Sequence, residues 1–237
     1  MKKIAVVGSP GSGKSAFARA LHNITHIELI HLDVLFWKPG WVETPRNLWI
    51  KTQEELIKAE EWIIDGNYQS TIDIRLNAAD TIIFLDMPRF LCIWRIIKRH
   101  FMYLGKSRTD MAKDCPEKMS AEYIWEVWNF PNNKRKELIQ KLSLLSKDKQ
   151  LIWLSSPQQI ATFLNDYNGP INSGEDQATS EKAKAKGFQK TWLDTTERIR
   201  KGFAWIDLKA IAKWLANDKG AQSLNDFVAA LLKLKGK

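Results

Sequence analysis

Five short, largely apolar runs punctuate the first two thirds of the chain, at residues 4–7, 27–30, 62–68, 81–86 and 150–154. Their apolar residues are continuous rather than alternating with polar ones, which is typical of parallel strands covered on both faces. Asp33 follows the second run and Asp65 ends the apolar part of the third. Because open α/β sheets bind ligands at the carboxyl ends of their strands, Asp33 is expected to face a ligand.

Helical patterns separate these runs. They fall at residues 16–22, 45–60, 88–104, 123–129, 133–146 and 157–167, with one short polar helix between residues 68 and 81. Pro45 begins the second pattern, where the fixed φ of proline suits the first turn of a helix. Strands that alternate with helices in this way predict a three-layer α/β/α domain with a five-stranded parallel sheet.

The character of the sequence changes near residue 169. Residues 169–186 are polar and rich in small side chains, which is typical of a linker. Three amphipathic helical patterns follow, at residues 188–201, 206–217 and 224–235. The chain is therefore predicted to comprise a domain at residues 1–168, a linker at 169–186 and a small helical domain at 187–237.

A glycine-rich loop joins the first apolar run to the first helical pattern, with the sequence Gly8-Ser9-Pro10-Gly11-Ser12-Gly13-Lys14-Ser15. Its spacing fits G-x-x-x-x-G-K-[ST], in which backbone N–H groups surround a polyphosphate, the lysine reaches the outer phosphates and the serine hydroxyl binds Mg²⁺. The helix behind the loop adds its N-terminal dipole and free N–H groups to this anion site. The loop predicts a P-loop NTPase fold that binds a nucleoside triphosphate.

Net charge and composition say less about the binding partners than the glycine-rich loop does. The 237 residues carry a net charge of +9, which favours polyanions but does not choose between nucleotides and nucleic acid. No apolar run approaches the roughly 20 residues of a membrane span, and no signal peptide opens the sequence, so we expect a cytoplasmic protein without a membrane anchor. The two cysteines, Cys92 and Cys115, form neither a CxxC motif nor a disulfide framework.

The ordered motifs GSPGSGKS, HLDVLFWKPGW, WIIDGNY, ADTIIFLDMPR, WRIIKR, GKSRTDM, CPE and WNFP lie within residues 1–167. Through them this part of the chain resembles the DNA topology modulation family, P-loop proteins similar to adenylate kinase. The resemblance does not extend to residues 187–237. It implies a nucleoside- and metabolite-kinase-like fold, ATP as the bound nucleotide, Mg²⁺ dependence, and a lid at about residues 105–131.

The same resemblance implies roles for charged residues. Asp65 matches an acid that supports Mg²⁺ through water, and Asp33 matches one that orients or deprotonates an acceptor hydroxyl. A helix or turn cap is the alternative for both. Four basic residues resemble the arginines that stabilise the transferring phosphoryl group, on one helical face at the root of the lid, in it or just after it: Arg95, Arg99, Arg108 and Arg135.

The acceptor side is expected to include aromatic and polar residues between the second and fourth runs. Trp37 and Trp41 are candidates for stacking on a base, with ordinary core packing as the alternative; Trp49 is a weaker candidate. Arg75 stands where adenylate kinases place a phosphate-binding arginine, but Asn67 and Tyr68 depart from their sequence. We include Asn67 and Arg75 among the candidate substrate contacts.

Two functions from different classes fit these observations. The first is an ATP-dependent phosphotransferase acting on a small-molecule phosphoryl acceptor. The second is a nucleotide-regulated DNA-binding protein, because residues 169–237 carry 13 Lys and Arg against 8 Asp and Glu, a net +5. The acids are interspersed with these basic residues, which is more typical of a solvated helix face, so nucleic acid is not favoured. Self-association or docking of a protein partner through residues 187–237 is the third alternative.

Overall fold

The computed structural model describes residues 1–103, 108–117, 119–146 and 148–167. Its strands, in chain order, are β1 (Lys3–Gly8), β2 (Leu29–His31), β3 (Trp37–Lys38), β4 (Val42–Glu43), β5 (Trp62–Asp65), β6 (Thr81–Leu85) and β7 (Gln150–Leu154). The predicted linker and helical domain, at residues 169–186 and 187–237, lie outside the described residues, so the domain boundary stays a prediction.

The helices follow the alternation that the sequence predicts. They are α1 (Lys14–Thr25), α2 (Leu32–Phe36), α3 (Arg46–Leu56), α4 (Ile72–Ala78), α5 (Arg89–Met102), α6 (Ala121–Asn129), α7 (Lys134–Leu145) and α8 (Pro157–Asp166), with a 3-10 turn at Gln69–Thr71. In the described part of the chain, no helix combines the length and the apolar composition that crossing a membrane requires.

The central sheet has the order β2-β5-β1-β6-β7, and all of its neighbouring strands are parallel. The alternation of side chains along a strand sends Ile4 and Val6 of β1 to one face and Ala5 and Val7 to the other. Helices α1, α5, α6 and α8 cover the first face, and α3, α4 and α7 cover the second. The predicted fold class, a three-layer P-loop NTPase fold with five parallel strands, is confirmed.

The second strand begins later than predicted, at Leu29 rather than residue 27. Helix α1 ends at Thr25, and the next residue, His26, turns the chain with a left-handed backbone (φ of 59°). Ile27 belongs to this turn, where its carbonyl oxygen is hydrogen-bonded to the ring of His22. The strand therefore runs to His31. Asp33 consequently lies in the first turn of α2, two residues beyond the strand.

The helix predicted at residues 45–60 was too long, because α3 ends at Leu56. Residues 58–61 are all exposed, so no packing supports a further helical turn there. Upstream, β3 and β4 form an antiparallel hairpin in which Trp37 pairs with Glu43 and Lys38 with Val42. The sequence reading did not anticipate this hairpin, which inserts between α2 and α3.

Candidate active site

The glycine-rich loop connects the end of β1 to the start of α1 in the middle of the sheet. At Gly8, with φ of 149°, a Cβ atom would approach the Leu85 carbonyl oxygen to 2.4 Å. At Gly11, with φ of 76°, it would approach the Cys92 carbonyl oxygen to 2.4 Å. Gly13 begins α1 in a left-handed conformation without a side-chain cap, which leaves helix N–H groups free for an anion.

Lys14 lies partly buried against this loop. Its Nζ atom donates hydrogen bonds of 2.9 Å to the carbonyl oxygens of Gly8 and Ser9. Burial lowers the pKa of Lys14, and the carboxylates of Asp65 and Asp33 oppose that change. The ammonium group is therefore held by loop carbonyl oxygens within electrostatic reach of two acids, and a polyphosphate would strengthen its charged form.

The loop residues fit a nucleotide with its metal ion. The Ser12 hydroxyl is buried and has no hydrogen-bond partner among the described residues, and the loop backbone is too closely packed to admit side chains at Gly8 and Gly11. Ser15 follows Lys14 in the first turn of α1, where its hydroxyl matches the Mg²⁺ ligand of this motif. Ser9 and Pro10 complete the turn, which is closed by a hydrogen bond from Ser12 N to Ser9 O.

Asp65 and His31 are brought together by sheet register. They are paired positions on the parallel strands β5 and β2, so their side chains share one face of the sheet. His31 Nδ1 lies 2.9 Å from Asp65 Oδ2, and Asp65 is buried. This contact fixes the orientation of the candidate metal-supporting acid.

Asp33 accepts a hydrogen bond from a tyrosine that follows the neighbouring strand, β5. The Tyr68 hydroxyl donates a hydrogen bond of 2.6 Å to Asp33 Oδ1. Burial raises the pKa of Asp33 above its ordinary value, while the Tyr68 hydrogen bond works in the opposite direction. The result is a carboxyl group whose proton affinity is increased, as a general base requires.

Arg95 and Arg99 share one face of α5, as their spacing predicts, but they contact different groups. Arg95 Nη1 donates 2.6 Å to the Ser12 carbonyl oxygen, so this guanidinium supports the loop backbone. Burial lowers its pKa. Arg99 Nε instead donates 2.7 Å to Glu117 Oε1, in the part of the predicted lid that the structure describes.

We call residues 108–117 the lid segment. Arg108 in this segment lies near two acids, with Nη1 3.2 Å from Asp110 Oδ2 and Nε 2.7 Å from Glu117 Oε2. Glu117 therefore joins Arg108 to Arg99. The described residues thus bring together two of the predicted arginines through a carboxylate to which the sequence reading gave no role.

Arg135 lies in α7 and forms a bidentate pair with Asp86, at 2.8 Å and 2.7 Å. The indole nitrogen of Trp153 donates to the same carboxylate at 3.1 Å, and the guanidinium lies over the Trp153 ring. The hydrogen bonds that Arg135 donates to Asp86 raise the pKa of Arg135. Arg135 is thus tied to the ends of β6 and β7, apart from the contacts of Arg99 and Arg108.

Two residues that were predicted to contact the substrate make hydrogen bonds to the backbone near the glycine-rich loop. Asn67 exchanges hydrogen bonds with Gly8, from Gly8 N to Oδ1 at 3.1 Å and from Nδ2 to Gly8 O at 2.6 Å. Arg75 is buried and donates to Gln53 and to the carbonyl oxygens of Gly66 and Asn67. Burial lowers the pKa of Arg75 to about 10. Both side chains therefore brace the turn after β5 and, through it, the start of the loop.

The hairpin tryptophans pack against the lid segment. Trp37 and Trp41 surround the buried Cys115 together with Met111 and Ala112. Trp41 Nε1 donates 3.1 Å to the Pro116 carbonyl oxygen. Trp49 is buried in the core beneath the sheet, so its role is the packing alternative. The aromatic rings predicted for stacking thus contribute to contacts within the chain.

Sequence reasoning missed three residues of this arrangement: His31, Tyr68 and Glu117. The contact between His31 and Asp65 can be identified only when the register of β2 on β5 is known. Tyr68 and Glu117 stand in motifs that the resemblance uses, WIIDGNY and CPE, and a polar residue inside such a motif was the available signal.

Comparisons with known proteins add structural neighbours only. No protein-family model and no curated protein matches the sequence. A shikimate kinase from Acinetobacter baumannii in complex with shikimate aligns with a TM-score of 0.40 and 14% identity, over 82% of this chain and 94% of that one. A deoxyadenosine kinase from M. mycoides with bound dATP aligns with a TM-score of 0.40 and 18% identity, over 71% and 100%.

A sugar kinase from Janibacter sp. HTCC2649, solved without ligand, aligns with a TM-score of 0.36 and 17% identity, over 84% of this chain and 98% of that one. These similarities are low. The strand order, the loop after β1 and the positive φ angles of its glycines are what define the molecule as a protein of the P-loop NTPase fold class.

Proposed function

We propose that the protein is a Mg²⁺-dependent P-loop phosphotransferase that uses ATP and acts on a nucleotide or another small metabolite. The observation that carries this proposal is the position of Lys14, partly buried against the glycine-rich loop with its Nζ atom on two loop carbonyl oxygens, and within electrostatic reach of Asp33 and Asp65. A phosphate cradle, a cation and two acids in one place are the parts that phosphoryl transfer needs.

On the donor side, the backbone of Gly8–Ser15 would surround the phosphates and Lys14 would contact the outer ones. Ser15 would hold Mg²⁺ directly and Asp65 would hold it through water, and the ion would neutralise phosphate charge. Asn67 and Arg95 keep the loop in shape, because both donate hydrogen bonds to loop carbonyl oxygens.

On the acceptor side, Asp33 would accept the proton of an acceptor hydroxyl. The oxygen of that hydroxyl forms a bond to the γ-phosphorus while the bond between this phosphorus and the β–γ bridging oxygen breaks, and ADP leaves. The raised pKa of Asp33 suits a base at neutral pH, and the Tyr68 hydroxyl orients its carboxylate. Arg99 and Arg108 would stabilise charge on the transferring group.

The same proposal covers the family of the protein and the roles of the remaining candidate residues. Membership of the DNA topology modulation family would be consistent with this chemistry, and Trp37 and Trp41 would border the acceptor through the hairpin. Arg135, held by Asp86 near the end of β7, would act at the nucleotide rather than at the acceptor. Arg75 would act indirectly, through the turn that carries Asn67.

A screen of metabolites with Mg²⁺ and ATP, scored by ADP formation, tests the proposal. At least one acceptor should raise ADP formation well above the acceptor-free rate, and Lys14→Ala should lower that rate by about 100-fold or more, as loss of a transition-state charge contact does. Lys58→Ala is the matched control, because Lys58 is an exposed lysine that pairs with Glu55 on the surface. No acceptor-dependent ADP, or full activity in Lys14→Ala, would contradict the proposal.

The alternative of DNA binding through residues 169–237 has its own test. Duplex binding by the full chain should then weaken steeply with salt and should disappear in residues 1–168. The proposal of a small-molecule kinase predicts instead that duplex binding is weak in both.

A further inference from the structure

Glu117 occupies an unusual position for a carboxylate. Its side chain is only 2% exposed, and it lies between two arginines that come from different elements. Arg99 Nε of α5 donates to Oε1 at 2.7 Å, and Arg108 Nε of the lid segment lies 2.7 Å from Oε2. Each carboxylate oxygen thus faces one guanidinium group, so a single side chain sets the spacing between both.

The two arginines keep donors to spare. Each guanidinium carries five N–H groups, and in the described part of the chain Glu117 contacts the Nε atom of each arginine. The remaining contacts of Arg99 include the Tyr123 hydroxyl at a long 3.5 Å, and those of Arg108 include Asp110 at 3.2 Å. The contact between Arg108 Nε and Glu117 is an ion pair, because this Nε atom has no hydrogen-bond partner of good geometry among the described residues.

Both guanidinium groups lie within electrostatic reach of the candidate active site. After burial and the nearby acids, the positive charge of Arg99 contributes to lowering the pKa of Lys14. The charge of Arg108 acts on the pKa of Asp33. The geometry points the same way. Arg99 lies one helical turn after Arg95, whose guanidinium contacts the loop at Ser12 O. Arg108 is joined to Arg99 through Glu117. Both arginines are thus connected to the part of α5 that contacts the glycine-rich loop.

We propose that Glu117 is a positioning residue, which fixes Arg99 and Arg108 so that their spare N–H groups converge on the γ-phosphate of bound ATP. This inference rests on the function proposed above. Planar guanidinium groups bind phosphate oxygens best in a fixed orientation, and a buried carboxylate is the side chain that can fix two of them at once.

The direction in which Glu117→Gln changes nucleotide binding distinguishes a positioning role from simple charge neutralisation. If Glu117 only neutralised the arginines, Glu117→Gln would increase the positive charge of the site and tighten the binding of every nucleotide. If Glu117 positions them, the same substitution weakens binding of the γ-phosphate and leaves ADP, which lacks it, almost unchanged.

Calorimetric titration of the full chain with Mg²⁺ and either ADP or AMP-PNP, an ATP analogue with a stable γ-phosphate, measures this effect. We expect the wild-type protein to prefer AMP-PNP by tenfold or more and Glu117→Gln to lose most of that preference. Glu117→Asp, whose shorter side chain keeps the charge but spans the arginines less well, should lose part of it. Glu126→Gln is the control, because Glu126 pairs on the surface with Lys134.

A double-variant cycle then tests whether Glu117 acts through the arginines. In an Arg99→Ala, Arg108→Ala background, Glu117→Gln should change the AMP-PNP preference no further, whereas independent action would give additive losses. Thermal unfolding checks that each variant is folded. If Glu117→Gln is not folded, the AMP-PNP preference of Glu117→Asp decides whether Glu117 has the positioning role.

An unchanged preference in folded Glu117 variants, or tighter binding of both nucleotides, would overturn the positioning role and leave the proposed function standing. A wild-type protein that binds both nucleotides equally would also overturn it. If the wild-type protein bound neither nucleotide, the proposed function would fail, and this inference with it.

Discussion

At the scale of single residues, Tyr68 has a backbone conformation that tyrosine seldom adopts, with φ of 31°. Its ring packs against Phe36 and Trp49, with centroids 4.5 Å and 5.0 Å away. These contacts hold the strained residue so that its hydroxyl meets Asp33. Backbone strain kept by surrounding packing is often found at functional sites, which is consistent with a role for this hydrogen bond.

Replacing Tyr68 with phenylalanine should move the acid limb of the pH–rate profile to higher pH. The Tyr68 hydrogen bond favours the ionised form of Asp33, so its loss raises the pKa of Asp33 further, and a higher pH is needed to generate the base. At neutral pH the rate should fall by roughly three- to tenfold, as expected for the loss of one hydrogen bond. The measurement is kcat/KM against pH with an acceptor from the screen.

Tyr103→Phe serves as the control for that experiment, because the Tyr103 side chain is partly exposed at the end of α5. A pH profile of Tyr68→Phe that coincides with the wild-type profile would show that Tyr68 has only a packing role.

The residues of the glycine-rich loop could be predicted from the sequence because their spacing is local, and the backbone conformation of Gly11 and Gly13 follows from that spacing. Glu117 could not be assigned in the same way. Its role depends on where the lid segment passes relative to α5, which is a matter of tertiary structure. His31 likewise gains its partner from the pairing of β2 with β5.

At the scale of elements, the β3–β4 hairpin and the lid segment are joined by three hydrogen bonds. Gly40 N donates to Asp114 O at 3.1 Å, Trp41 Nε1 donates to Pro116 O, and Cys115 Sγ donates to Lys38 O at 3.2 Å. The segment that would bind the acceptor therefore contacts the segment that carries Arg108. If the proposed function holds, this contact would help to exclude water during transfer.

Trp41→Phe should loosen this contact while keeping an aromatic ring in the apolar cluster. Loss of the indole hydrogen bond, about 1 kcal/mol, should make amide hydrogen exchange roughly fivefold faster at Gly40 and Met111, whose N–H groups are bonded within or across this contact. Exchange followed by mass spectrometry on the two segments measures it.

Trp125→Phe is the matched control for Trp41→Phe, because Trp125 is a largely exposed tryptophan on α6. Equal exchange in both variants and in the wild-type protein would show that the Trp41 hydrogen bond does not hold the lid segment closed.

The five strands of the sheet were predictable because continuous apolar runs are typical of parallel strands, although the outer strands β2 and β7 are only partly buried. The elements that were missed are short: α2 has five residues, and β3 and β4 have two each. Such elements carry too few residues for a periodic pattern. They are fixed by tertiary contacts, here the packing of Phe36 and Trp37 and the hydrogen bonds to the lid segment.

At the scale of the whole molecule, the sheet order brings distant parts of the chain to one edge. Strand β1 lies between β5 and β6, so the loop after Gly8 emerges beside Asp65 and beside the start of α5, with Asp33 one strand further out. Ligand sites of open α/β sheets lie at this edge. The fold class could thus be predicted from the order of motifs, whereas the acceptor depends on the shape of the inserted hairpin and lid segment.

The most direct test of the central claim follows the γ-phosphate itself. The full chain is incubated with Mg²⁺, ATP labelled with ¹⁸O in the γ-phosphate, and an acceptor from the screen, and the products are analysed by mass spectrometry. The proposed function predicts that the label appears in a phosphorylated acceptor, that Asp33→Asn slows this transfer by about 100-fold, and that Lys14→Ala abolishes it. Label found only in inorganic phosphate, at a rate that the acceptor does not change, would contradict the account.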